Sequence, residues 1–147
     1  MIHALENIPK VMVCILAISL AGCDQQWSES ERNNIQHFVE STRLINEAHD
    51  IANGAVGGES MPVTDFSKIV ALYEQALAQA KLVTDPVLAK ANPALPKAYR
   101  QYFQRGIELC LSSWTKQQPS EDLHGDALLD KWGDWLEENR HDIDLPH

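Results

Sequence analysis

From Ile35 onward the apolar residues recur three and four positions apart, and no stretch sustains an apolar–polar alternation. Spacings of three and four line up on one stripe of an α-helix, whereas a spacing of two would line one face of a strand. Ile35, Phe38, Val39, Ile45, Ala48 and Ala52 predict a first helix over 28–53, stopped by Asn53-Gly54. A Gly-rich loop over 54–62 leads to a second helix starting near Thr64 or Asp65, with Phe66, Ile69, Val70, Tyr73, Leu77 and Ala80 on its inner face. Asp85-Pro86 disfavours its continuation, and Pro86 is suited to open a short helical piece over 87–91. A third helix over 96–116 presents Tyr99, Tyr102, Phe103, Gly106, Ile107, Cys110 and Trp114. Ser120 caps a fourth, which reaches about Arg140 and leaves His141 to His147 as a tail. Short connections between amphipathic helices predict an all-α fold, an antiparallel bundle of about four helices.

The fourth helix carries the sharpest charge pattern. Asp122, Asp126, Asp130, Asp134 and Glu138 are spaced by four. Each step of four turns the direction by about 40°, so the acids wind over a broad arc. Leu128, Leu129, Trp132, Trp135 and Leu136 take the other side. Like charges at i,i+4 cost a helix about 0.2–0.5 kcal/mol per pair, so mixed Lys and Glu would serve solubility more cheaply. Two readings follow. The acids form a partner-docking side, or they are a solvated face paired within the molecule, with Lys97, Arg100 and Arg105 of the third helix as counter-charges.

Catalytic and metal-binding patterns are weak. His37, His49, His124, His141 and His147 form no i,i+4 pair and no H-E-x-x-H. His141, Asp142, Asp144 and His147 sit in the tail, without the spacing of a metal site. Gly54-Ala55-Val56-Gly57-Gly58 lacks the Lys of a phosphate loop, and no G-x-S-x-G elbow occurs. Glu137 and Glu138 are neighbours and point about 100° apart, so they do not converge as a catalytic pair. The expectation is therefore no catalytic residue, no metal and no cofactor. A net charge of −9 argues against nucleic acid as a partner, because phosphate binding needs a basic surface.

The front of the chain reads differently. Lys10 precedes an apolar run, Val11 to Leu20, too short for the roughly 20 residues that cross a bilayer. A basic residue, a short apolar stretch and small residues make a secretory signal peptide. The run closes on Leu20-Ala21-Gly22-Cys23, which resembles the lipobox of bacterial lipoproteins. The resemblance implies cleavage after Gly22 and a lipidated Cys23, with acyl chains such as palmitate, as the first mature residue. It divides the chain into a signal peptide over 1–22, a lipid-bearing tether over 23–30 and one helical domain over 31–147. The implied site is a bacterial membrane facing the periplasm. Asp24 resembles the signal for retention at the inner membrane in enterobacteria, with the outer membrane as the alternative. With Cys14 removed and Cys23 lipidated, Cys110 has no partner for an intramolecular disulfide and is expected as a buried small hydrophobe. Without basic surface, the lipid alone grips the bilayer.

These readings predict a non-enzymatic protein-interaction module on a lipid anchor, its protein partner unnamed. An immunity lipoprotein that neutralises a basic toxin is one alternative. A carrier or sensor for a small apolar ligand is the other.

Overall fold

The computed structural model describes residues 26–54, 61–116 and 119–146, with side chains from His124 onward in the last helix. The expected signal peptide over 1–22, Cys23, most of the loop over 54–62, the side chains of Ser120 and Asp122, and His147 lie outside the described residues.

The fold is all-α. Helix α1 spans Glu29–Gly54 and α2 spans Val63–Leu82; a short α3 spans Asp85–Ala91. A helical rod then runs through α4 (Leu95–Ala98), a π-helical segment (Tyr99–Gln104) and α5 (Arg105–Lys116). Helix α6 spans Pro119–Asn139 and ends in a 3₁₀ turn over Arg140–Asp142. The two long pairs, α1 with α2 and α5 with α6, pack along their lengths, and the predicted bundle is present with boundaries shifted by only a few residues.

Helix α1 starts as the sequence Ser28-Glu29-Ser30-Glu31 dictates. Glu31 N–H donates to Ser28 Oγ at 3.2 Å, and Ser28 N–H donates to Glu31 Oε2 at 2.7 Å. This reciprocal capping box satisfies two donors that the first turn would leave without partners. The last residues of the stretch 23–30, expected as a tether, thus already belong to α1. Trp27 is buried. One indole in a polar stretch carries no periodicity, so the pattern did not report it.

The inner faces are right in outline and wrong in detail. Ile35, Phe38, Ile45, Ala48, Ile69, Tyr73 and Ala80 are buried as predicted. Val39 and Phe66 are instead exposed, while Ser41, Thr42 and Ala76 are buried. Small residues sit where helices approach most closely, and a reading weighted to large apolar side chains passes over them. Ser113 is likewise buried, and Trp114 is half-buried against Phe66, ring centroids 5.5 Å apart. The tail is docked as well. Ile143 is buried, Asp144 N–H donates to Ala91 O at 3.0 Å, and Asn92 Nδ2 donates to Asp142 O at 3.1 Å.

Two features hold elements together. Arg100, on the π-helical segment, donates to Ala80 O at 3.3 Å and to Val83 O, and pairs with Asp85 at 2.9 Å. It thus places a cation at the C-terminal end of α2, where free carbonyls and the helix dipole favour one. At the α5–α6 crossing, a Cβ on Gly125 would lie 2.8 Å from the Cys110 backbone nitrogen, against its sulfur. A Cβ on Gly106 would lie 2.9 Å from Leu129. The two helices touch backbone to backbone because both positions are glycine.

Gly125→Ala should therefore destabilise the fold by about 1–3 kcal/mol, the usual range for overpacking, although alanine is the better helix former by about 1 kcal/mol. Adding Cys110→Ala should not restore stability, because the backbone contact remains. Urea denaturation of both variants beside the unchanged protein checks this.

Candidate functional site

The acidic arc of α6 rests on a helix pinned from beneath. Leu129, Trp132 and Leu136 are buried, and the Trp132 ring lies 6.2 Å from Phe38, 5.8 Å from Tyr99 and 5.5 Å from Phe103. Trp135 stacks on Trp132 at 5.8 Å with the rings 7° apart. These tryptophans share one core cluster with the aromatic rings of α1 and the π-helical segment.

The arc turns out of the fold as it proceeds, as steps of 40° require. Asp126 is half-buried at the α5–α6 crossing, where the Cys110 thiol donates to its Oδ1 at 3.6 Å. Asp130 is half-buried, and Asp134 and Glu138 are exposed. Asp122 belongs to α6, but its side chain lies outside the described residues. The five predicted acids are therefore not one uniform face. Asp126 is committed to the α5 groove, and the outward part comprises Asp130, Asp134 and Glu138.

Two of the three counter-charges expected from the third helix go elsewhere, and no described ion pair joins Lys97 to α6. Arg100 pairs with Asp85, and Arg105 pairs with Glu108 at 3.2 Å. Arg140 reaches Glu137 at 3.2 Å, one position short of Glu138. Among the described residues, no ion pair involves Asp130, Asp134 or Glu138. Burial pushes the Asp130 carboxyl above the usual aspartate range, and the Asp134 charge adds to the shift. By contrast, an ion pair on α1 lowers its acids: Arg43 beside Glu40 and Glu47, and Lys68 beside Glu47, hold both glutamates below their ordinary value. Acids with ion-pair partners and acids without them are thus both present among the described residues, and Asp130, Asp134 and Glu138 belong to the latter.

Cys110 is fully buried, as its Leu-Cys-Leu setting implied. His49 is half-buried, 3.1 Å from the Tyr73 hydroxyl, and burial lowers its pKa. His37 lies 2.7 Å from Gln79 Oε1. Both imidazoles bridge α1 and α2. Among the described residues no group of three His, Cys, Asp or Glu side chains is placed to hold a metal. No described helix is long and apolar enough to cross a membrane.

Sequence reasoning missed one feature outside α6. Lys90 Nζ donates to Gln26 O at 2.8 Å and to Glu31 Oε2 at 2.7 Å, and lies 4.7 Å from the Trp27 ring centroid. The Ser-x-x-Glu spacing was a readable signal for the cap. The contact from Lys90, 59 positions beyond Glu31, had no local signal.

Asp130→Asn should raise stability at neutral pH by up to about 0.5 kcal/mol, the scale of relieving like charges four apart. The sign follows from the raised carboxyl pKa: the folded state binds the proton more readily than the unfolded one, so acid relieves the aspartate. The gain should shrink as pH falls through the folded-state pKa. Thermal unfolding of both proteins across acid to neutral pH measures it. Compared with protein-family models, with curated proteins and with solved structures, the chain matches none.

Proposed function

We propose that the chain is a lipoprotein of a bacterial membrane, anchored through Cys23, facing the periplasm, and acting as a non-enzymatic protein-interaction module. Asp24 favours the inner membrane. The docking side is the outward arc of α6. One observation carries this reading: Asp130, Asp134 and Glu138 lack counter-ions among the described residues although cations lie on the adjoining rod. A protein evolved only for a solvated face would gain from interleaving those cations, since like charges four apart oppose the helix. A basic partner surface would supply the missing charges, speeding encounter and fixing orientation. An immunity lipoprotein facing a basic toxin is one case of this reading.

Crosslinking of the lipidated protein in membranes tests both halves. Changing Asp130→Asn, Asp134→Asn and Glu138→Gln together should keep the helical signal and the cooperative melt, and should lose the crosslinked partner. Retention of every partner by that variant contradicts the docking side. Cys23→Ser should lose palmitate labelling and leave the membrane fraction; persistent labelling contradicts the anchor.

A further inference from the structure

We infer that the bundle stands end-on at the bilayer, with the end that carries Trp27, Leu82 and α3 resting on the lipid surface. This rests on the lipid anchor proposed above and adds to it the face presented to lipid. Gln26 and Trp27 are locked into the fold. Lys90 donates to Gln26 O and to Glu31, and its ammonium lies over the buried Trp27 ring. The Arg32 side chain donates to Trp27 O at 3.4 Å. Three peptide steps separate Cys23 from Gln26, and they span at most about 11 Å. A lipid on Cys23 therefore holds the first turn of α1 within that reach of the headgroups.

The elements around that turn are known. Asn34, in the second turn of α1, donates to Leu82 O at 2.8 Å and accepts from Thr84 N–H at 2.9 Å. These bonds bring the C-terminal end of α2 and the start of α3 to the same end of the bundle. Leu82 is 50% exposed there, and Pro86 and Ala89 of α3 are exposed beside it. An exposed leucine on the lipid-bearing end has an apolar phase within reach. The opposite end lies far off. Val63, at the other terminus of α2 and 80% exposed, is about 28 Å from Leu82 along a helix rising 1.5 Å per residue. Helix α6 descends toward the lipid end, because its 3₁₀ turn and tail bond to Asn92 and Ala91. The arc of acids then runs along the side of the upright bundle, with Glu138 nearest the bilayer and Asp126 farther out.

The test uses the full lipidated chain in phosphatidylethanolamine–phosphatidylglycerol vesicles containing a nickel-chelating lipid. A fluorophore is placed on Leu82→Cys or Val63→Cys, and quenching by surface nickel is read. Leu82→Cys should be quenched several-fold more strongly than Val63→Cys. Inserting about ten Gly and Ser residues between Gln25 and Gln26 adds roughly 16–19 Å of reach. That variant should still sediment with vesicles but lose most of the difference. Equal quenching at the two positions in sedimenting, lipidated protein overturns the orientation and leaves the anchor standing. Protein that carries no lipid and stays in the supernatant overturns the anchor, and the orientation with it.

Discussion

The bundle depends on the burial of one side chain, Trp132. It is fully buried and meets Phe38 from α1, Tyr99 and Phe103 from the π-helical segment, and Trp135 from its own helix. Aromatic pairs of this kind contribute about 0.5–1.5 kcal/mol each beyond area burial. Its indole N–H has no hydrogen-bond partner among the described residues. An unsatisfied buried donor costs about 1–3 kcal/mol, which the ring contacts must outweigh. Cys110 is buried too, and this aromatic cluster supplies cohesion across α1, the π-helical segment and α6.

That cluster also determines what α6 displays. With Trp132 and Leu136 held inward, successive steps of four carry the acids from the α5 groove at Asp126 out to solvent at Glu138. Two cations, one on the neighbouring rod and one on α3, are engaged by structural tasks. Arg100 closes the end of α2, and Lys90 closes the start of α1. The charge imbalance on α6 therefore follows from how the fold uses its arginines and lysines, and the proposed docking side is the remainder. The same use of Lys90 fixes Gln26 and the start of α1 three residues after Cys23, the proposed lipid site, so the proposed anchor and the proposed display belong to one body.

The helices were legible because their signals are local. Apolar spacing, Asn53-Gly54 and Asp85-Pro86 mark them within a few residues of one another. The π-helical segment was hidden: Tyr99 and Phe103 are four apart, a spacing that does not tell a wide turn from a normal one. Trp27 and Ile143 were also missed, since each is a single apolar anchor whose pocket is made by distant residues. At the candidate site the arc of acids was readable from spacing. Its division into a tucked Asp126 and an outward remainder was not, because that depends on the glycine crossing of α5 and α6. The fates of Arg100 and Lys90 depended on contacts between elements far apart in sequence.

The central claim is that Trp132 seats α6 on the rest of the bundle. Equilibrium urea unfolding of Trp132→Ala, followed by circular dichroism, tests it most directly. The expected result is one cooperative transition with stability lower by about 3–5 kcal/mol, the usual cost of deleting a buried aromatic ring. A loss below about 1 kcal/mol, the scale of an ordinary surface change, would contradict it.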